Sequence, residues 1–334
     1  MIRRDLHQHN RLTWDAATAA HDSHKADQAG FLRAGGTTLF DDEVHLLLGT
    51  GPEGPVLADI LSSGARPLAG KRLLHAPCNG GQDTISLARL GADVTGVDIS
   101  PVAIAGATAL SAASGLPGRF ACADLYDWLP AAAAAGERFD LVFMSYGALI
   151  WMSDLDALFA LVAAVLRPGG RFVGLEFHPL AQMYDEQGNV AYPYCGGGYV
   201  LSPAGVGDYV AASGTSLAPS GYLEGVQGFV NAHPSHEFSW GVADTVTALL
   251  RAGLTLEALR ELVQAAGLEH PGQITTAHIV RRTSDHSVRL LANLLPTVQP
   301  GELLAAERGD ADWPHMVFRT YWHMAAAHSF QPVA

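Results

Sequence analysis

The chain has 334 residues, 49% hydrophobic and only 16% charged, which fits one large α/β domain or two smaller ones and excludes a disordered chain. A net charge of −13 without a basic stripe argues against a nucleic-acid partner. Three cysteines (Cys78, Cys122 and Cys195) without a Cys-x-x-Cys spacing argue against a disulfide framework and a zinc site, so no metal is expected.

In chain order, residues 1–70 read as a helical cap. Apolar residues recur at three- and four-residue spacing over Asp22–Leu32 and Leu39–Leu48, split by Gly35-Gly36. Residues 71–178 then alternate. Strands are predicted at Arg72–Ala76, Asp93–Val97, Gly118–Ala123, Phe139–Ser145 and Arg171–Phe177, and helices at Gly81–Leu90, Pro101–Ser114 and Asp154–Leu166. Arg167-Pro168-Gly169-Gly170 stops the last helix, because Pro cannot continue it and Gly supplies the turn. Alternation at these lengths predicts a parallel sheet covered by helices on both faces.

Residues 179–235 break the pattern with Gly, Tyr, Pro and Ser, centred on Tyr192-Pro193-Tyr194-Cys195-Gly196-Gly197-Gly198-Tyr199. A segment this long inside a compact domain reads as a substrate lid. Over 236–334 a helix is predicted at Gly241–Ala252 and a strand at Thr255–Leu262. A helical insertion follows at 263–312, with runs around Ser287–Leu295 and Glu302–Arg308, and Met316–Met324 is predicted as a last strand. The whole is expected to form one compact domain. The start of the chain carries no apolar core of a leader, and the run Leu155–Leu166 is broken by Asp156 and too short for a bilayer. A cytoplasmic protein without a membrane partner is therefore expected.

The chemistry gathers in one stretch. Lys71–His75 leads through Ala76-Pro77-Cys78-Asn79-Gly80-Gly81 into Gln82-Asp83-Thr84, and Val94-Thr95-Gly96-Val97 ends on Asp98. A glycine-bearing loop lets a ligand lie against backbone N–H groups at a helix N-terminus. A carboxylate at the end of the following strand, about twenty residues on, is where a doubly wound sheet binds ribose. The spacing points to an adenosine cofactor. Neither G-x-G-x-x-G nor the P-loop pattern occurs, and Asn79 stands where a dinucleotide site needs glycine against the pyrophosphate. A cofactor without phosphate tolerates a side chain there.

These residues, with Leu87-Ala88, Gly91-Ala92, Val94, Gly96-Val97-Asp98-x-Ser100, Ala103-Ile104, Ala107, Asp124, Phe139-Asp140 and Leu166–Gly170, resemble the class I S-adenosylmethionine-dependent methyltransferases of the small-molecule, natural-product branch. The likeness covers roughly 10–260, is strong over 70–178 and fades after 262. It implies a Rossmann-like, doubly wound sheet of seven strands, parallel but for one, with a helical N-terminal extension and two insertions. It implies S-adenosylmethionine as cofactor. Ala76, Cys78, Asn79 and Gly81 would present the loop to its methionine half, with Asp83 and Thr84 beginning the helix. Asp98 would take the ribose hydroxyls, Ile99 would pack on adenine, Asp124 and Leu125 would read its edge, and Ser145 would lie near the transferable methyl. Two departures stand out. Pro77 and Asn79 replace the first two loop glycines, and His75 replaces a common strand-end acid, so the amino-acid end is expected to be held by Asp83 or by the N-terminal helices.

Tyr146 at the end of the fourth predicted strand, and Glu176 with His178 at the end of the fifth, are the candidates for catalysis; the last two would form a base at the rim if both point one way. Trp14, Phe31, Trp151, Tyr194 and His236 are the candidates for the acceptor pocket. The expected activity is N- or O-methylation of a small metabolite. Two alternatives stay open. The sulfonium is also a leaving group, so the cofactor's own amine could displace methylthioadenosine to give a cyclic amino acid, or the chain could bind the cofactor without turnover. A small-molecule acceptor is the expected partner, and a homodimer is left open.

Overall fold

A computed structural model describes residues 1–51, 54–184 and 189–259, and beyond them 280–284, 287–290, 305–306, 308–309, 325–326 and 329–330. The chain divides into two compact units, Met1–Glu257 and Ala258–Ala334.

The first unit is built on a five-stranded sheet with strands β1 (Arg72–His75), β2 (Asp93–Asp98), β3 (Arg119–Cys122), β4 (Phe139–Met144) and β5 (Leu166–Gly174). Their order is β3-β2-β1-β4-β5, and every neighbouring pair is parallel. The order reverses between β1 and β4. The carboxyl ends of these two strands therefore flank the crevice where doubly wound sheets bind ligands. Side chains alternate between faces. Leu74, Val142 and Met144 point into one core with Tyr126, Leu129, Leu158 and Phe159. Leu73, Leu141 and Phe143 point into the other with Val44, Leu47, Ile60 and Leu87.

The helices begin where local chemistry allows. α6 (Pro101–Ser114) starts on Ser100, whose hydroxyl accepts the Ala103 N–H at 3.1 Å, has Pro101 in its first turn, and ends at Gly115 with φ 71°. α7 (Leu125–Ala134) is capped by Asp124, and α8 (Leu155–Val165) by Asp154. α5 (Gln82–Arg89) follows Gly81, whose φ of 78° favours glycine. The N-terminal region folds as α1 (Arg4–Ser23), α2 (Gln28–Arg33), α3 (Asp41–Leu48) and α4 (Leu57–Ser63). The helix expected over Asp22–Leu32 is thus two helices. Asp27 caps the second by accepting from the Gly30 N–H, and so breaks the apolar periodicity.

The Gly/Tyr-rich stretch docks on α1. Within it β6 (Gly198–Ser202) pairs antiparallel with β7 (Ser235–Ser239), and α9 spans Tyr209–Ser213. His24 holds Asp208 at 2.8 Å with both side chains buried, and the Asn231 side-chain amide donates to the carbonyls of Thr13 and Val206, each at 2.9 Å. α10 spans Val242–Arg251, as the sequence predicts to within a residue.

The expected sheet of seven strands is corrected to five parallel ones among the described residues. β7 pairs with the insertion instead of extending the sheet, and 254–259 form no strand. In the second unit the described segments include the antiparallel pairs β8 (Val280–Ser284) with β9 (Ser287–Leu290) and β10 (Ala325–Ala326) with β11 (Ser329–Phe330). Ser287–Leu290 is therefore strand, not the expected helix. Met316–Met324 lies outside the described residues, as does most of the insertion expected at 263–312. No helix among the described residues is long and apolar enough to cross a membrane.

Candidate active site at the β1–β4 crevice

The loop after β1 is pinned from both sides. The Ala76 N–H donates to the Phe143 carbonyl at 3.0 Å, and the Cys78 N–H to Val97 at 2.9 Å. Asn79 takes a φ of 45° and turns its own side chain to accept the Gly80 N–H. Gly81 packs so closely on α6 that a Cβ would lie 2.6 Å from that of Ala107. The loop glycines thus serve packing as well as ligand approach.

Asp98 lies at the end of β2 and is 8% exposed. Each of its oxygens accepts one backbone N–H at 2.9 Å, Oδ2 from Asn79 and Oδ1 from Ser100. Burial pushes this carboxyl above its usual range, against the pull of those N–H groups. A carboxylate has about four lone-pair directions, so one is left on each oxygen. Two adjacent acceptors of this kind match a vicinal diol. Ile99 follows, half-buried.

Asp124 and Leu125 are placed otherwise than the resemblance implies. The Leu125 side chain is 6% exposed in the α7–α8 core. One oxygen of Asp124 takes the Tyr126 N–H, and the other takes His7 Nδ1 at 2.7 Å. His7 Nε2 then meets Ser153 Oγ at 2.9 Å. Burial alone would raise Asp124, but His7 and the Tyr126 N–H hold it below its ordinary value. α1 also reaches the end of β2, where Ser100 Oγ donates to Asp15 at 2.6 Å. It therefore runs along the carboxyl edge and covers the side of the crevice at β2 and α7.

On the other side two acidic groups come together. The Thr38 hydroxyl donates to Asp83 at 2.5 Å. Glu43 is 1% exposed on α3 and accepts the Phe40 N–H at 2.6 Å, and its charge reaches the Tyr146 hydroxyl. Burial first, and then the Asp83 charge, push Glu43 up to about 8, and burial raises Asp83 as well. Lys25 draws Asp83 down but pairs with Asp22 at 3.3 Å. No described Lys or Arg is hydrogen-bonded to Asp83, Glu43 or Asp98. Such a wall repels phosphate and attracts a cation.

Tyr146 has a φ of 32°, which turns the chain sharply after β4, and its ring sits 6.1 Å from that of Phe177. Ser145 Oγ lies 3.0 Å from Nε2 of the buried His75. Trp14 and Trp151 meet edge to face at 5.4 Å, and Tyr209 and His21 join them, their rings 4.0 Å apart. Tyr209 keeps 41% of its surface accessible, yet burial, with Asp22, Asp83, Asp98 and Asp208 around it, pushes its hydroxyl up to about 12. The Tyr209 ring thus stands within electrostatic reach of both Asp98 and Asp83.

The remaining expected residues serve other parts of the fold. Glu176 Oε1 accepts the N–H groups of Ala148 and Leu149 at 2.9 and 2.8 Å, an anchor for the turn after β4; burial raises it to about 7. His178 is exposed, and its Nδ1 accepts the Leu180 N–H. β5 ends at Gly174, so strand alternation does not align the two. Phe31 packs on the Gly36 turn and Tyr194 on Gly241. His236 binds the Tyr199 hydroxyl at 2.8 Å. None of these three joins the Trp14 cluster. Glu43, Thr38, His7, Asp15 and Tyr209 went unseen in the sequence. They come from distant segments without a motif, and Glu43 reads only as a helix-capping acid.

Residues 73–170 match the family model described as a methyltransferase domain. A ubiquinone biosynthesis O-methyltransferase of Methylobacterium sp. (strain 4-46) is 38% identical over 113 residues, covering 33% of this chain and 42% of that protein. One from Sinorhizobium fredii is 36% identical over 105 residues, covering 31% and 40%. The chain thus spans about two fifths of the length of these curated relatives. A Mesorhizobium loti S-adenosylmethionine-dependent methyltransferase structure aligns at TM-score 0.38 and 23% identity, covering 60% of this chain and 84% of its own. One from Clostridium acetobutylicum gives 0.39 and 16%, covering 59% and 76%.

The donor set fits S-adenosylmethionine: a diol-matching carboxylate at Asp98, and a pair of buried acids, Glu43 and Asp83, that a cation would ionise. Residues 73–170 form a methyltransferase domain, and S-adenosylmethionine is the cofactor.

Proposed function

We propose that the chain is a methyltransferase that moves the cofactor's methyl group to a nitrogen or oxygen of a small metabolite. The observation that carries this reading is the pairing of a free-lone-pair carboxylate at Asp98 with the phosphate-repelling wall of Asp83 and Glu43 across the β1–β4 crevice. When bound, the sulfonium supplies an electrophilic methyl, so the protein need only align a nucleophile, exclude water and take up a proton. Asp98 holds the ribose, and the loop 76–81 presents its backbone to the methionine half. Glu43 and Asp83 replace the strand-end acid that His75 displaces, and they bind the ammonium. The rings of Trp14, Trp151, Tyr209 and Tyr146 wall the acceptor side, covered by the docked stretch 198–235. Tyr146, at the end of β4 and within electrostatic reach of Glu43, contacts the acceptor. Glu176 and His178 are assigned to the turn. The named activity of the curated relatives, O-methylation in ubiquinone biosynthesis, favours phenolic acceptors as the first to try.

The test is incubation with methyl-labelled cofactor and a panel of phenols and amines, followed by mass spectrometry. Label on an acceptor, with S-adenosylhomocysteine formed in equal amount, is the expected result. Methylthioadenosine formed without an acceptor would replace this reading with cyclisation. Binding without any turnover across the panel would leave a cofactor-binding protein only.

A further inference from the structure

Segment 207–226 of the docked stretch has a single line of attachment. Among the described residues, every hydrogen bond that leaves the stretch from this segment ends on residues 21–26. His21 Nε2 lies 2.9 Å from the Gly207 carbonyl oxygen. The Leu223 N–H donates to the His24 carbonyl and the Ala26 N–H to the Gly221 carbonyl, both at 2.8 Å. The Val226 N–H donates to Ser23 Oγ at 2.9 Å. The His24 ring is the centre of this seam. It stacks on Tyr222 with ring centroids 5.5 Å apart, and its Nε2 lies 2.8 Å from Asp208 Oδ2. An ionised carboxylate only accepts, so Nε2 carries a proton. Nδ1 lies 3.1 Å from both the Gly225 nitrogen and the Leu223 oxygen, and so keeps a partner whether or not it is protonated. The clasp holds in either state of the ring.

Asp208 passes this attachment to the next residue. Its other oxygen caps α9 by accepting the Ala211 N–H at 3.1 Å. Tyr209 therefore leaves the clasp in a fixed direction, its ring 4.0 Å from that of His21 and 6.5 Å from that of Trp14. Trp14 belongs to the carboxyl edge of the sheet. It meets Trp151 after β4, and its neighbour Asp15 takes the Ser100 hydroxyl after β2. Asp98 at that edge is 8% exposed, so a nucleoside seated on it leaves only when a covering element moves. α1 itself is bound to the capping residues of α6 and α7, through Asp15 to Ser100 and His7 to Asp124. Segment 207–226 can lift from α1 without breaking a hydrogen bond of the sheet. We propose that His24 is a positioning residue: through Asp208 it holds Tyr209 across the carboxyl edge, and so sets how fast the cofactor's nucleoside leaves. The inference rests on the placement of the cofactor at Asp98. Release scales with the fraction of time the clasp is open, so loss of the clasp is read as a rate.

The test measures release of S-adenosylhomocysteine from the intact, immobilised chain by surface plasmon resonance. Asp208→Ser keeps a cap for α9 but does not reach His24. It should release about ten- to a hundredfold faster, the scale of one hydrogen bond to a charged group. Asp208→Asn keeps an oxygen for the cap and offers its amide to the ring, whose Nδ1–H then turns to the Leu223 carbonyl. It should stay within about threefold of wild type. Tyr209→Ala, with the clasp intact, should match Asp208→Ser, and the double variant should be no faster than either. A merely structural clasp would lower the fraction of chains that bind and leave the release rate of the others unchanged, and that result overturns the proposal. So do rates that multiply in the double variant. So does a wild-type rate in Tyr209→Ala, a result that stands even where Asp208→Ser fails to fold. A folded wild-type chain that binds no S-adenosylhomocysteine overturns the placement of the cofactor instead.

Discussion

Replacing Asp98 by Asn tests the cofactor site most directly. Each carboxylate oxygen already holds one backbone N–H at 2.9 Å and keeps one lone pair for a ribose hydroxyl. Hydrogen bonds to a charged group contribute about 1.5–3 kcal/mol each. The amide retains one acceptor oxygen, turns a donor toward a backbone N–H, and has no charge. One ribose bond is lost and the other weakened, about 2–4 kcal/mol in all. That corresponds to a loss of roughly 30- to 800-fold in affinity. Calorimetry with S-adenosylmethionine and with S-adenosylhomocysteine should give similar losses, because the ribose is common to both. The disturbed Asn79 and Ser100 N–H groups also cost stability, so binding is compared at a temperature where circular dichroism shows both chains folded. A Kd within about threefold of wild type would mean that Asp98 does not hold the ribose, and the placement of the cofactor would be wrong.

Three further outcomes follow from the same geometry. Glu43 lies near 8 through burial and the Asp83 charge, with Asp42 adding to the rise. Its folded value exceeds its unfolded one, so the folded chain holds the extra proton between about pH 4.5 and 8, and stability falls as pH rises across that window. Glu43→Gln should flatten the fall in unfolding temperature over that range. A cation seated against Glu43 and Asp83 should expel the proton, so cofactor affinity should rise toward pH 8, and calorimetry in buffers of different ionisation enthalpy should detect the release; a pH-independent affinity contradicts the ammonium assignment. His7→Ala leaves Asp124 and Ser153 without their buried partner, at about 1–3 kcal/mol, and should lower the unfolding temperature by about 5 °C in a thermal scan. Gly81→Ala needs a φ of 78° and a Cβ 2.6 Å from Ala107, so chemical denaturation should show a loss of about 2–4 kcal/mol; an unchanged midpoint would mean that the loop relaxes freely.

The order of strands and helices from Leu73 to Gly170 was legible because each element declares itself locally. Ser100 caps α6, Gly115 ends it, and Val94 to Val97 carries only small or β-branched residues, as a strand buried on both faces can. Asp98 could be found from spacing alone, since the distance from a glycine loop to the next strand end is set by one helix and one turn. The Glu176–His178 pair misled because alternation holds only inside a strand, and β5 ends two residues before Glu176. His236 and Tyr194 looked like pocket residues by composition, but their neighbours are Tyr199 and Gly241. The helix expected across Asp22–Leu32 failed for a local reason, the side-chain cap at Asp27.

The amino-acid sequence alone determined the parallel α/β core, the glycine-bearing loop and the ribose acid, because short-range chemistry sets periodicity, caps and spacing. Tertiary packing decided the rest. It brought Glu43 from α3 and Tyr146 from the end of β4 within electrostatic reach, engaged Asp124 with His7, and set Ser145 Oγ against His75. Those partners lie tens to more than a hundred residues apart, and no local pattern encodes a contact that only the closing of the chain creates.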